Sequence, residues 1–345
     1  MSIEPDLSRP APPAARGRSR VWRVVFIAIG ALAVVLLVIT GVTAWSVLST
    51  IQAVERIPDA FPAEADRPAA STGDAAEAMN FLLLGADAGD GSGSLAQIDG
   101  QHADTLVVVH VPADRSQLTV MSIPRDTRLT VPGHGETKVS AAIALGGVPL
   151  AVQTVETLLD TRLDHVAVVN FAGFEGVTDA LGGVTVDNPI AFDSHYLSGH
   201  RFDAGEQHLD GVEALAFARE QAAFPDGDIQ RVRNQQLLIG SLFGGIMQQS
   251  TLTDPGKLGG VIGATTEHLA IDETLASTDL VGLGLQLRDV RSDDVVFFTI
   301  PTVPAAAEAD GQAVVTPDPA ALPGVQEGFR SDTLDEVAAA LQPVG

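Results

Sequence analysis

Residues 80–87, NFLLLGAD, form an apolar run that ends in glycine and aspartate, and this pattern predicts a buried strand. Similar runs follow at 104–111, DTLVVVHV, and at 117–123, QLTVMSI, with the short connection PADRS between them. Such runs are typical of strands covered on both faces of a sheet, and a short connection of this kind predicts a hairpin. The folded part of the chain is therefore predicted to begin with a buried sheet.

Segments with helical periodicity alternate with further strands in the rest of the chain. The predicted helices are 139–146, 148–160, 174–181, 209–220, 227–247, 255–269 and 273–288, and the predicted strands are 165–171, 183–187 and 294–300. Asp210 stands where the N-cap of one of these helices is expected. The alternation predicts an α/β fold, a three-layer α-β-α sandwich whose central mixed sheet has helices on both faces.

The segment 24–48 contains no charged residue. A helix of this length reaches about 37 Å, more than the roughly 30 Å of a bilayer's hydrocarbon core. Trp22 and Trp45 lie close to its two ends, and the arginines before it place the N-terminus in the cytoplasm. A cleaved signal peptide is the competing interpretation, but its apolar region spans only about 7–15 residues.

The chain is therefore predicted to be a single-pass protein of the cell membrane. Its predicted parts are a cytoplasmic N-terminus (1–23), a transmembrane anchor (24–48), an extracytoplasmic linker rich in Pro and Ala (49–78), a folded domain (79–300) and a C-terminal extension packed on the domain or following it (301–345).

Composition narrows the possible functions. The chain carries 44 Asp and Glu against 20 Lys and Arg, a net charge of −24, and it has no cysteine. Disulfides and thiol chemistry are thus excluded, and a diffuse basic face for nucleic acid is not expected. If the protein binds an anion, a few clustered arginines must hold it.

One such cluster is GDIQRVRNQQ at 227–236. On a helix, Asp228, Arg231 and Gln235 share one face, whereas Arg233 lies about 200° round the axis from Arg231. Asp228 stands where an N-cap is expected, and the start of a helix favours an anion. A capped surface helix with Asp228 and Arg231 paired is the competing interpretation.

Two further arginines stand at the ends of predicted elements. Arg125, in SIPRDT, follows a strand at the edge where open α/β sheets bind ligands, although a turn with an internal ion pair gives the same pattern. Arg219 ends a predicted helix, where a basic residue also simply complements the helix dipole.

Asp87 and Asp104 stand at the ends of neighbouring predicted strands. Two carboxylates there are suited to a hard cation such as Mg²⁺, although a solvated, turn-rich loop is the alternative. The sequence shows no zinc-type histidine pair, P-loop or nucleophile elbow, so chemistry that depends on a nucleotide is not expected. The apolar run 235–247 predicts either a buried helix or one wall of a slot for an alkyl chain.

Taken in order, seven segments resemble the LytR–CpsA–Psr family of cell-wall ligases. They are NFLLLGAD, ADTLVVVHV, VMSIPRDT, KVSAAIALGG, DHVAVVNFAGFEGVTDALGGVTV, LDGVEALAFARE and GDIQRVRNQQ, and they span residues 80 to about 245. The resemblance implies a phosphotransferase that moves a phospho-glycan from a polyprenyl-pyrophosphate carrier to a peptidoglycan hydroxyl, usually on N-acetylmuramic acid. It makes 79–300 the catalytic domain.

The resemblance also assigns roles to residues. Asp87 and Asp104 would ligate Mg²⁺ or Mn²⁺, and Arg125 and Asp104 would be catalytic, with Asp104 one candidate for the base. The implied pyrophosphate-binding residues are Arg125, Lys138, Arg219, Asp228, Arg231 and Gln235.

The chain departs from the family pattern at two positions, where His102 and Gln221 stand in place of arginines. The predicted site is thus less positive than usual. Two alternatives remain open: a membrane-tethered hydrolase of polyprenyl pyrophosphate, and a non-catalytic module that binds wall polymer or lipid carrier or acts as a regulator.

Overall fold

The computed structural model describes residues 53–86, 94–96, 103–225, 227–248, 255–266, 268–305 and 314–341. The predicted cytoplasmic segment and transmembrane anchor lie outside these ranges. Within them, one helix, Ala141–Leu159, is long and apolar enough to cross a membrane, but 56% of its apolar window is buried inside the fold. This helix therefore belongs to the core.

The strands and helices run in the following order. The strands are β1 (Glu55–Ile57), β2 (Met79–Ala86), β3 (Ala103–Val111), β4 (Leu118–Ile123), β5 (Arg128–Val131), β6 (Gly135–Lys138), β7 (His165–Asn170), β8 (Val184–Asn188), β9 (Phe192–Asp193), β10 (Arg201–Phe202), β11 (Gly205–Leu209), β12 (Leu269–Asp272), β13 (Val295–Thr299), β14 (Thr302–Pro304) and β15 (Val315–Pro317). The helices are α1 (Ala141–Leu159), α2 (Phe171–Leu181), α3 (Gly211–Arg219), α4 (Gly227–Met247), α5 (Pro255–Thr266), α6 (Ser277–Gln286), α7 (Leu322–Ser331) and α8 (Leu334–Leu341). Short 3₁₀ turns lie at Glu64–Asp66, Gly73–Glu77 and Ser292–Asp294.

A seven-stranded sheet in the order β1-β12-β7-β2-β3-β4-β13 lies at the centre. β2 runs antiparallel to β3 and parallel to β7, so the sheet is mixed, as the sequence predicts. β3 and β4 are antiparallel, which confirms the predicted hairpin.

Alternating residues of the strands meet different helices, as the pleat requires. Leu82 and Leu84 of β2 pack in the main core with α1, α7 and α8. Phe81 of β2 packs on the opposite face with Phe243 of α4 and Leu283 of α6. The predicted three-layer α-β-α sandwich is therefore confirmed.

Helix α1 contains a break where the sequence predicts two helices. Gly146 and Gly147 have non-helical backbone angles, and the φ of Gly147 is +68°, which favours glycine. At the start of α3, Asp210 accepts a hydrogen bond from the Glu213 N–H at 2.9 Å, which confirms the predicted N-cap.

The predicted linker needs correction, because part of it belongs to the domain. Glu55–Ile57 forms the edge strand β1 and pairs in parallel with β12, while Ile57 and Ala60 are buried in the main core. A three-residue strand is too short to show periodicity, so the hydrophobic pattern does not predict it. β12 was likewise missed, because LAID directly follows a helical segment.

The C-terminal extension is also part of the domain. Val325 and Phe329 of α7 lie in the main core with almost no exposed surface. Nε2 of His110, in β3, lies 2.9 Å from Oδ1 of Asp332, which follows α7. These contacts hold α7 and Asp332 against the rest of the fold.

Candidate functional site

Asp104 occupies an irregularity at the start of β3. Gly85 pairs with Thr105 and Ala86 with Ala103, so Asp104 is the extra residue of a β-bulge, a feature that redirects a side chain. A Cβ on Gly85 would come within 2.9 Å of the Thr105 Cβ, so this close approach requires glycine. Local backbone geometry therefore sets the position of the Asp104 carboxylate.

Arg125 lies just beyond the end of β4. The antiparallel register that pairs Leu106 with Ile123 brings Arg125 opposite Asp104. Nη1 of Arg125 lies 2.7 Å from Oδ1 of Asp104, and its Nε lies 3.4 Å from Oδ2 of Asp126. The predicted internal ion pair of the turn is thus present together with a contact to the neighbouring strand.

Lys138, at the end of β6, is tied to the same turn. Its Nζ lies 2.7 Å from Oδ1 of Asp126, so Asp126 contacts both Arg125 and Lys138. Lys138 is not among the described residues that line the cavity reported below. Its predicted role in pyrophosphate binding stays a prediction.

Arg231 lies on α4 with only 5% of its surface exposed. Its Nη1 donates a hydrogen bond to Oε1 of Gln221 at 2.7 Å. The helix is fixed beside α3 by Asn234, a buried residue whose Nδ2 donates to the Phe217 carbonyl at 3.1 Å. The Asn234 contact holds the helix that carries Arg231 against α3, and the Gln221 contact orients the Arg231 guanidinium.

Arg219 ends α3, and its guanidinium lies 5.0 Å from the centroid of the Tyr196 ring. This is a cation–π distance. The next residue, Glu220, is fully buried and accepts backbone N–H bonds from His195 at 2.8 Å and from Ala223 at 3.2 Å. Glu220 thus links the loop of Tyr196 to the end of α3.

These side chains surround one cavity of about 280 Å³. Its polar wall is formed by Asp104, Arg125, Arg219, Gln221, Arg231 and Gln235. Its apolar wall includes Leu83, Val107, Val169, Phe174, Leu215, Leu238 and Ile239. Five predicted site residues, which are far apart in sequence, therefore line one cavity whose other lining residues are mostly apolar.

Other predicted positions are outside the structural description. Asp87 and His102 lie outside the described residues, and nothing is described of the Asp228 side chain. Helix α4 begins at Gly227, so Asp228 lies in its first turn, whereas the sequence predicts it to be the N-cap.

The polar wall has one carboxylate of the type that hard cations prefer. Arg125 contacts Oδ1 of Asp104, and the Asp104 side chain keeps 27% of its surface exposed. In the described part of the chain, no group of three or more His, Asp or Glu residues is placed to hold a metal. Mg²⁺ commonly takes one or two carboxylates and fills its shell with phosphate oxygens and water, so Asp104 fits such a site.

The sequence matches the model of the LytR_cpsA_psr family over residues 46–327. The chain belongs to the LytR–CpsA–Psr family. The match includes β1 and most of α7, in agreement with the structural finding that both segments belong to the domain.

Named relatives of this LytR–CpsA–Psr chain include the cell wall biosynthesis protein LcpA of Corynebacterium glutamicum. It is 32% identical over 286 residues, covering 71% of this chain and 54% of LcpA. The polyisoprenyl-teichoic acid–peptidoglycan teichoic acid transferase TagU of Halalkalibacterium halodurans is 34% identical over 200 residues, covering 57% of this chain and 62% of TagU. The chain thus spans little more than half the length of these curated relatives.

Solved structures resemble the chain more completely. Bacillus subtilis TagV has 26% identity and a TM-score of 0.63, with 76% of this chain and 99% of TagV covered. A structure described as TagT bound to LIIa-WTA has 25% identity and a TM-score of 0.60, with 79% and 98% covered.

Sequence reasoning missed Tyr196, Glu220 and the bridging role of Asp126. Tyr196 is the only tyrosine of the chain and lies in a polar loop without periodicity. The only sequence feature that distinguishes Tyr196 is that the chain has no other tyrosine. Glu220 and Asp126 immediately follow predicted site arginines, and this adjacency is the sequence feature that points to them.

Proposed function

We propose that this LytR–CpsA–Psr protein is a phosphotransferase that attaches a glycopolymer to peptidoglycan. Its donor is a polyprenyl-pyrophosphate-linked glycan, and its acceptor is a peptidoglycan hydroxyl, on N-acetylmuramic acid. The observation that carries the proposal is that Arg125, Arg219 and Arg231 line one mostly apolar cavity. An amphipathic ligand with a charged head next to an alkyl chain matches both walls.

The arginines suit a diphosphate, because a planar guanidinium can bond two oxygens of one phosphate at once. Arg231 is buried, and charge interactions are strengthened where water is excluded. The cavity of about 280 Å³ is at the small end of ligand sites, so it accommodates the part of the lipid next to the pyrophosphate.

The transfer exchanges one phosphorus–oxygen bond for another. The acceptor oxygen attacks the phosphorus next to the glycan, and the bond to the bridging oxygen breaks. Polyprenyl phosphate leaves with that electron pair, while the hydroxyl proton passes to a base. Arg125, Arg219 and Arg231 stabilise the charge on the phosphate oxygens, so catalysis consists mainly of positioning and electrostatics.

Asp104 and Asp87 are the residues that would hold Mg²⁺ or Mn²⁺. A bound divalent ion would neutralise charge on the two phosphates. Asp104 also remains the candidate base, and Nη1 of Arg125 lies 2.7 Å from its Oδ1.

The donor lipid also supports a place at the cell membrane. In this proposal the chain is anchored by a single transmembrane helix at 24–48, with 1–23 in the cytoplasm and the catalytic domain outside. The names of LcpA and TagU, which refer to cell-wall biosynthesis and to peptidoglycan, are consistent with an extracytoplasmic site.

The proposal is tested with the full chain in detergent, a synthetic polyprenyl-pyrophosphate-linked oligosaccharide and peptidoglycan fragments. A covalent glycan–peptidoglycan product that requires Mg²⁺ and is lost on chelation is the expected result. The variant Arg231→Ala should lose the product, whereas Arg288→Ala, at an exposed arginine far along the chain, should retain it. Glycan phosphate released equally with and without acceptor would show a hydrolase, and tight donor binding without turnover would show a binding module.

A further inference from the structure

A second cavity of about 900 Å³ lies along the other side of α4. It is bounded by α4, by the antiparallel strands β8 and β11 and by the start of α5, and it shares no described lining residue with the first cavity. Arg231 lines the first cavity and Arg233 lines the second, because residues two positions apart on a helix point about 200° apart. We call this second cavity the α4 groove.

The α4 groove is long rather than compact. Along the helix it extends from Arg233 to Gln248, about 22 Å at 1.5 Å per residue. Gly240 and Gly244 lie on this stretch, and a Cβ on either would meet Phe297 at 3.3 Å or the Ser292 hydroxyl at 2.9 Å. These glycines let α4 pack closely against Phe297 and Ser292. The shape suits an extended chain.

The described residues that line the groove differ in charge from the chain as a whole. Its described lining residues include Arg233, near one end, and Lys257, near the other, and none of them is Asp or Glu. The whole chain has more than twice as many acidic as basic residues. Lys257 is one of only two lysines in the sequence; the other is Lys138. Basic residues are therefore concentrated here against the general composition.

The remaining polar groups of the described lining are hydroxyls, amides and one imidazole. Ser241 Oγ donates to the Thr185 carbonyl at 2.7 Å and joins α4 to β8. Nε2 of His208 lies 3.0 Å from the Gly182 carbonyl oxygen. The positive charge of the described lining is thus carried by Arg233 and Lys257, with hydroxyls and amides between them. This combination matches a polyhydroxylated chain that carries negative groups.

We propose that the α4 groove binds the glycan of the donor through its phosphate or carboxylate groups, away from the pyrophosphate. The inference rests on the proposed function for the identity of the glycan. Because the groove and the first cavity lie on opposite sides of one helix, the groove guides the polymer while its pyrophosphate end is held beside Arg231. Binding through Arg233 and Lys257 gives a preference for anionic polymers.

The test measures binding without catalysis. A lipid-free glycerol phosphate oligomer is titrated into the full chain by calorimetry, with a neutral dextran oligomer of the same length as comparison. The phosphate oligomer should bind, and raising the salt concentration should weaken it. The double variant Arg233→Gln/Lys257→Gln should weaken binding at least about tenfold, since charged hydrogen bonds are lost. Both residues are exposed, and thermal melts of the double variant establish that its fold is retained.

The matched control is Arg288→Gln/Arg330→Gln, which removes the same charge from exposed sites elsewhere. It should bind the oligomer as the wild type does. Equal weakening in both double variants, or equal binding of dextran, would overturn the proposal. Arg125→Ala, which alters the first cavity only, should bind the oligomer as the wild type does. If the oligomer binds both proteins but the wild type shows no transfer activity, the result would contradict the proposed function and leave the groove proposal standing.

Discussion

Nη1 of Arg125 and Oδ1 of Asp104 lie 2.7 Å apart, across the antiparallel register of β3 and β4. The pair joins the proposed metal ligand to the proposed pyrophosphate-binding guanidinium. Both side chains keep about a third of their surface exposed, so the pair contributes little to folding and is available to a ligand. Arg125 and a bound cation would share the Asp104 carboxylate.

The first prediction separates these two roles. Arg125→Ala should lower the maximal transfer rate about 10²–10³-fold, as expected for loss of a transition-state donor, without raising the Mg²⁺ requirement. Asp104→Asn should raise the Mg²⁺ concentration needed for half-maximal rate. Initial rates against Mg²⁺ concentration measure both, and Arg128→Ala, three positions away, serves as control. An unchanged Mg²⁺ requirement in Asp104→Asn would remove Asp104 from the metal site.

The second prediction concerns Gln221, an uncharged residue that accepts a hydrogen bond from Arg231. Gln221→Arg should lower the melting temperature in phosphate-free buffer, because two guanidinium groups then lie close together. Added inorganic pyrophosphate should raise the melting temperature of this variant more than that of the wild type, by ligand linkage. Equal shifts in both proteins would show that position 221 does not contact the anion.

The third prediction concerns the apolar wall. Ile239 lines the first cavity from α4, so Ile239→Trp should narrow the space for the lipid. Excluding only two methylene groups costs about 1.6 kcal/mol, or roughly tenfold in KM. The effect should appear with a long-chain donor and be small with a donor of one isoprene unit. Ile229→Trp, at an exposed position of the same helix, should leave the KM for both the long-chain and the short-chain donor unchanged.

The fourth prediction concerns Glu220. Glu220→Gln should cost about 1–3 kcal/mol of stability, because a buried backbone N–H loses its acceptor. It should also lower kcat/KM, since the loop that holds Tyr196 against Arg219 is loosened. Thermal melts and transfer kinetics measure the two effects, and Glu206→Gln at an exposed site is the control. Full activity in Glu220→Gln would make the loop contact purely structural.

The fifth prediction concerns His110 and the C-terminal extension. Burial lowers the pKa of His110, an effect that the Asp332 carboxylate offsets only in part. The unfolded imidazole therefore takes up a proton near its ordinary pKa of about 6.5, while the folded one resists, so the unfolded state binds more protons. Stability should fall as the pH drops from about 6.5.

Melting temperatures between about pH 7.5 and 5.5, above the range in which ordinary carboxylates titrate, measure this dependence. His110→Asn should be less stable but show a flatter pH profile. His134→Asn, at an exposed position, should keep the wild-type slope. A wild-type slope in His110→Asn would contradict the assignment.

The sequence predicted the strands and helices that have long apolar runs. It therefore also predicted that Arg125 follows one strand and that Asp104 begins another. It also predicted that Arg231 and Gln235 share a face, because helical spacing is a local property. The contact between Arg219 and Tyr196 depends on how a loop folds back onto a helix. Local sequence patterns do not predict such a fold. β1 and β12 were not predicted for a related reason: strands of three and four residues are defined by pairing with neighbouring strands, here β12 with β1 and with β7.

The pairing of Glu55 with Ala270 has a consequence for how the protein is made. The first strand finds its neighbour only after most of the chain has been synthesised, and α7 and α8 close the core later still. Contacts between such distant segments are slow to form, and incomplete chains expose apolar surface. Newly made molecules should therefore stay incompletely folded until the last helices have followed the first strand across the membrane, and a late nonsense mutation should lead to degradation rather than to a shortened, stable protein.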